Sequence, residues 1–233
     1  MVESLIVYSG GRGIYRRDEE EIRGEVDENT LSALETVLDL ISRRGFSEVG
    51  PRPSAMDYLH HEVIYPKRGE RFAWVDDWAS EIELPGEIRA LTRLLEYIIS
   101  RVRGEAWANR EESSTTYLRM RASLNKLVAE NGETLLLKVS LACAGDVEIF
   151  YVPSGPDSPD VEVRSTADIS IEFLRVEGRT VDASGRRKLV PGRELGIEAS
   201  VVLKGVNRGL HWLSVHFPPK MPNIEVSLPL VIV

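Results

Sequence analysis

The chain has 233 residues, 42% of them hydrophobic and 28% charged, with a formal net charge of −8 and an isoelectric point near 5.2. That length accommodates two ordinary domains with real cores, while the acidic balance and the lack of a basic arm exclude a nucleic-acid binder, whose contact surface is rich in Lys and Arg. Cys143 is the single cysteine, which excludes an intrachain disulfide and a cysteine-based zinc site and predicts a reducing compartment.

Met1-Val2-Glu3 carries no basic segment, and the apolar run after it is too short for a signal peptide or a membrane span. A cytoplasmic protein without membrane partners is the expectation. Arginine far exceeds lysine and glutamine is absent from the whole chain. Charge-rich sequences poor in thermolabile amides suit proteins that work hot, so a thermophilic source is expected.

The first element is an apolar strand, Leu5-Ile6-Val7-Tyr8, running into Ser9-Gly10-Gly11-Arg12-Gly13-Ile14-Tyr15-Arg16-Arg17. Three glycines in four positions permit a sharp reversal, which predicts a hairpin pairing 14–17 with 5–8. A phosphate-binding reading needs the glycines between a strand and a helix. Here a second strand-like run follows, and then four consecutive acids, 18–21, which repel phosphate.

Asp27 and Thr30 supply capping groups, and Leu31, Leu34, Val37, Leu38 and Ile41 recur at helical spacing until Gly45. Two β-like runs, 58–65 and 71–75, flank the turn-rich 66–70. Pro85 opens a second helix with an apolar face of Ile88, Leu91, Leu94, Leu95, Ile98, Ile99 and Val102. The order strand, strand, helix, strand, strand, helix predicts an α+β domain over 1–104, a four-stranded antiparallel sheet with two helices on one face.

Periodicity fades over 105–116, which reads as a linker with Trp107 its one large apolar residue. Seven β-like runs follow, 117–124, 134–142, 147–152, 169–176, 194–203, 210–217 and 224–233, divided by turn signals such as Asn131-Gly132 and Pro191-Gly192. That grammar predicts an all-β, immunoglobulin-like sandwich over 117–233.

The layout of the first half resembles the emfourin family. The resemblance rests on the strand leading into Ser9-Gly10-Gly11-x-Gly13 with Arg16-Arg17, on Asp57-Tyr58-Leu59-x-x-Glu62-Val63, on Val75-Asp76-Asp77 and on the Pro85 helix. It implies a small domain that inhibits thermolysin-like metallopeptidases by laying loops into their cleft, without chemistry of its own. The second half is similar to intracellular subtilisin-directed proteinase inhibitors in Gly132-Glu133-Thr134-Leu135, in Leu189-Val190-Pro191-Gly192-Arg193-Glu194 and in Gly209-Leu210-His211-Trp212-Leu213. That likeness implies a sandwich.

No constellation reads as catalytic. His60-His61-Glu62 places only His60 and Glu62 on one strand face, short of a metal set. His211 and His216 fall on opposite faces, and no nucleophile elbow accompanies any serine. Asp76, Asp77, Glu81 and Glu83 lack calcium-loop spacing, and Cys143 reads as a packed thiol.

Interface anchors are typically Trp, Tyr and Arg, which singles out Arg12, Tyr15, Arg16, Arg17 and Trp78 as partner-binding residues. Trp74 reads as core. The proline-bounded loops 51–53 and 153–159 are stiff enough to enter a partner's cleft. The expected function is therefore non-enzymatic and needs no cofactor or metal: a protein-binding inhibitor or regulator of a metallopeptidase or serine peptidase. The alternative is a scaffold or assembly subunit that binds a non-peptidase protein through the second half.

Overall fold

The structure, a computed structural model, describes residues 3–46, 48–49, 59–76, 84–153, 159–218 and 224–233. The chain divides into two compact units, Met1–Ala106 and Trp107–Val233.

The first unit holds strands β1 (Glu3–Val7), β2 (Arg12–Arg17) and β3 (Glu20–Glu25), helix α1 (Glu28–Arg44), strands β4 (Glu48–Val49), β5 (Leu59–Tyr65) and β6 (Glu70–Asp76), and helix α2 (Gly86–Arg103). The glycine hairpin forms, with Leu5 opposite Tyr15 and Ile6 opposite Ile14. Each glycine has its own role. Gly11 adopts φ 81° at the turn, while Gly13 and Gly24 oppose each other across β2 and β3 and let the sheet close onto α2. A Cβ on Gly24 would stand 2.7 Å from the Val102 backbone, and one on Gly13 would stand 2.5 Å from Val102 Cγ2.

The four-stranded sheet expected of residues 1–104 is not formed. Residues 20–25, a charged stretch without apolar alternation, follow a turn at Asp18, whose φ is 53°, and pair with β2 as a third strand. Both sides of β2 are then occupied, so β5 and β6 lie in a separate three-stranded sheet of order β4-β6-β5. The helices follow their sequence signals. Asp27 caps α1 by accepting from the Thr30 backbone N–H at 2.9 Å, and Gly45 closes it in the left-handed conformation. Ile88, Leu91, Leu94, Ile98 and Val102 of α2 are buried.

The second unit contains strands β7 (Asn109–Ser114), β8 (Leu118–Leu124), β9 (Val128–Ala129), β10 (Thr134–Cys143), β11 (Ile149–Tyr151) and β12 (Glu162–Ser165). They are followed by β13 (Ile169–Glu177), β14 (Thr180–Val181), β15 (Arg187–Leu189), β16 (Glu194–Leu203), β17 (Gly209–Phe217) and β18 (Ile224–Ile232). They make three sheets, ordered β13-β16-β10-β8-β7, β11-β15-β14 and β12-β17-β18-β9. The seven-strand immunoglobulin-like sandwich is thus replaced by twelve strands among the described residues. The extra strands are runs of two to six residues, too short or too polar to show a period of two.

The expected linker 105–116 contains β7, an edge strand of the five-stranded sheet. Its anchor is Asn109, fully buried, whose side-chain amide donates to the Pro229 carbonyl at 2.7 Å and to that of Lys126 at 3.3 Å. One apolar core takes Met120 and Leu124 of β8, Leu137 and Leu141 of β10, Val201 of β16, Val215 and Phe217 of β17 and Leu228 of β18. The turn before β10 is tied at two atoms. The Gly132 N–H donates to the Leu203 carbonyl and Asn131 Oδ1 accepts from the Val206 N–H, both at 3.1 Å. Among the described residues no helix is long and apolar enough to cross a membrane.

Candidate functional site

Strand alternation gives the β1-β2-β3 sheet two unlike faces. Gly13, Tyr15 and Gly24 point toward α2. Ser4, Ile6 and Tyr8, then Arg12, Ile14 and Arg16, then Glu21, Arg23 and Glu25, line the opposite face. On it Ile6 and Tyr8 are 37% and 41% exposed.

The anchors expected from sequence divide accordingly. Tyr15 is only 2% exposed, so it is a core residue and not a contact residue: an odd position on β2 faces the helix. Burial, followed by a hydrogen bond to Glu3, pushes its phenol pKa up, and the Arg103 guanidinium stands 5.3 Å from its ring centre. Arg16 is exposed and pairs with Glu21 at 2.7 Å, while Arg17 on the other face lies 3.4 Å from Glu3. Glu21 also receives Arg23, and the two arginines, Arg23 first, hold its carboxyl below the usual range.

Arg12 differs from both. Its guanidinium lies 4.6 Å from the centre of the Tyr8 ring, and no carboxylate among the described residues pairs with it. The turn carrying this pair is pinned from three directions. Tyr8 N–H donates to Arg12 O at 2.9 Å, Gly11 N–H to Tyr8 O at 2.9 Å and Val26 N–H to Gly11 O at 2.7 Å. The aromatic ring and the cation therefore sit on a backbone with little freedom left to lose on binding.

Trp78, Asp77, Glu81, Glu83 and the loop 51–53 lie outside the described residues, as do the side chains of His60 and Asp76. His61 stacks on Trp74 with ring centres 4.9 Å apart, and Trp74 is core, at 1% exposure. Glu62 is bound to Arg71 at 2.5 Å. Among the described residues no three His, Cys, Asp or Glu side chains converge as a metal set. His211 Nε2 lies 2.8 Å from the Asn207 carbonyl, and His216 is buried with Nδ1 3.5 Å from Glu225. Burial pushes the Cys143 thiol pKa up, which disfavours the reactive thiolate.

Two features of the second unit have no counterpart in the sequence reading. Asp160 is fully buried; its Oδ1 accepts from the Tyr151 hydroxyl and from Arg187 Nη1, each at 2.8 Å, and its Oδ2 from Arg179 Nε at 3.0 Å. It ties β11, β15 and the segment before β14 to one carboxylate. No spacing rule joins residues so far apart in the chain. On the other side of that small sheet Phe150 is 47% exposed, with Arg186 and Lys188 at 4.8 and 5.9 Å from its ring centre. Val147, Val152 and Val181 are also exposed. Both cations are paired within the unit, Arg186 with Asp182 at 2.9 Å and Lys188 with Glu148 at 2.7 Å.

No protein-family model and no curated protein matches the chain. Among solved structures it is similar to the N-terminal periplasmic domain of ScsB from Proteus mirabilis, at 11% identity over 54% of this chain and 52% of that one, with a TM-score of 0.35. It is also similar to a family 123 glycoside hydrolase from Clostridium perfringens, at 10% identity over 55% of this chain and 27% of that one, with a TM-score of 0.28. The chain thus spans about half the length of the first and about a quarter of the second. Likeness at this level carries no argument about activity.

Proposed function

We propose that this chain is a non-catalytic, cytoplasmic protein-binding protein that inhibits or regulates a peptidase of the metallo or serine type. Its contact surface is the face of the first sheet bearing Tyr8, Arg12 and Arg16. The observation that carries the reading is the Tyr8–Arg12 pair on its pinned turn, since interfaces draw their binding energy from Tyr and Arg anchors that are already ordered. The emfourin-like pattern of residues 1–104 supplies the partner class.

The test is inhibition of a thermolysin-like and a subtilisin-like peptidase by the intact chain. Inhibition of either is expected, and Arg12→Glu is expected to weaken it by roughly 30-fold or more, as loss of an interface anchor does. Absence of binding and of inhibition for both classes overturns the peptidase reading.

The half-exposed Phe150 favours a second reading, a scaffold that binds a non-peptidase protein through the second unit. Phe150→Ser abolishes partner binding under that reading, while Arg12→Glu leaves it intact.

A further inference from the structure

The outer face of the first sheet adjoins an open edge. In the order β1-β2-β3 no strand among the described residues pairs with the far side of β1. The hydrogen bond from Tyr8 N–H to Arg12 O, with the register placing Ile6 opposite Ile14 and Ser4 opposite Arg16, fixes which backbone groups face inward. Ser4, Ile6 and Tyr8 bond to β2, so the N–H and C=O groups of Glu3, Leu5 and Val7 point away from the sheet.

Natural edges are usually blunted by proline, lysine or a bulge. β1 has none of these: its sequence is Glu-Ser-Leu-Ile-Val and its pairing with β2 is unbroken.

Charge meets this edge from an unusual direction. Arg12 belongs to the central strand, yet its guanidinium lies over the Tyr8 ring that continues the edge strand. A cation is thereby held over the continuation of the edge strand, beside the path of an added one. A planar guanidinium stacked on a ring keeps its N–H fork free for a carboxylate. Two residues back along the edge on the same face, Ile6 offers exposed apolar surface.

We infer that β1 accepts an extended acidic segment of the partner as a fourth strand. Main-chain bonds form to Leu5 and Val7, a glutamate or aspartate of the segment pairs with Arg12 over Tyr8, and an apolar side chain two residues away packs beside Ile6. The inference rests on the proposed contact face and specifies the chemistry that this face recognises.

The probe is a capped eight-residue peptide, Ser-Thr-Val-Thr-Glu-Thr-Val-Thr, whose symmetry about the glutamate serves either strand direction. It is titrated into the intact chain, with amide hydrogen exchange as the readout. Binding is expected to slow exchange at Leu5 and Val7 while leaving Ile6, already bonded to β2, unchanged. Lysine in place of the glutamate, or Arg12→Ala in the protein, is expected to weaken binding by roughly tenfold. N-methylation keeps every side chain and removes the donors aimed at β1, on the threonines for an antiparallel strand and on the glutamate and valines for a parallel one, and one of these two N-methylated peptides is expected to lose binding.

Equal binding of both N-methylated peptides, or of the lysine peptide, overturns the inference. The two ideas fail separately: peptidase inhibition without peptide binding sinks strand addition and leaves the peptidase reading standing, whereas peptide binding without peptidase inhibition does the reverse.

Discussion

Asp160 shows how much one buried carboxylate organises. With Arg187 only 7% exposed at its side chain and Asp160 at 0%, removing the negative charge leaves a guanidinium in a poorly solvated place, and such losses cost about 3 kcal/mol or more. Asp160→Asn is expected to lower the stability of the intact chain in urea by about that much, while Tyr151→Phe, which removes one hydrogen bond, costs about 1 kcal/mol. Burial first, and then the bond to Asp160, pushes the Tyr151 phenol well above its usual value of 10.0. The folded state favours the neutral phenol. Its contribution to stability is therefore complete below the ordinary phenol value and is lost as pH rises through the elevated folded one. An alkaline absorbance titration is expected to show buried tyrosines that ionise only as the chain unfolds, with the amplitude of that step lower by one tyrosine in Tyr151→Phe. Gly24 has an equally specific role: with its Cβ position against the Val102 backbone, Gly24→Ala is expected to cost about 1–3 kcal/mol by overpacking, read as a lower denaturation midpoint.

At the scale of elements, signals that are local in sequence were readable in advance and those that depend on distant neighbours were not. The hairpin over 5–17 and both helices follow from glycine placement, caps and apolar spacing. β3 carries no strand signal of its own because Glu-Glu-Ile-Arg-Gly-Glu has no apolar alternation; what makes it a strand is the free side of β2 and the absence of a Cβ at Gly24, facts that exist only after folding. β7 is silent in sequence for a similar reason, since the side-chain amide of Asn109 donates to the carbonyl of Pro229, 120 residues away. The candidate site was half readable. Arg12 and Arg16 stand on the outer face, but the parity that sends Tyr15 to the helix is fixed by the register of the turn, and Tyr8, which shares the face of Arg12, reads in sequence as part of an apolar strand. Face assignment needs register, and a shift by one residue inverts it.

At the scale of the whole molecule the charge is unevenly shared. Residues 1–106 hold 21 acidic and 14 basic side chains, against 16 and 15 in residues 107–233. The arginine-bearing face is thus a small positive area on a strongly negative unit. An acidic segment meets net repulsion at long range and attraction only at contact. Raising salt from about 10 mM, where the Debye length is about 30 Å, toward 150 mM, where it is about 8 Å, is expected to speed association of the peptide probe. Stopped-flow rates that fall steadily over the same range would show instead that the arginine face dominates the field.

The tied turn at Asn131 and Gly132 also bears on how this chain ages. Deamidation at an Asn-Gly step proceeds when the glycine nitrogen attacks the asparagine side-chain carbonyl carbon and closes a succinimide ring. Here that nitrogen is committed to Leu203 and the side-chain oxygen to Val206, so both reacting groups are held away from ring closure. The site most prone to chemical decay in a sequence otherwise poor in amides becomes a clock that runs only when the fold opens. Incubated warm, the native chain is expected to keep its mass at this peptide, while the denatured chain gains the one-dalton signature of deamidation.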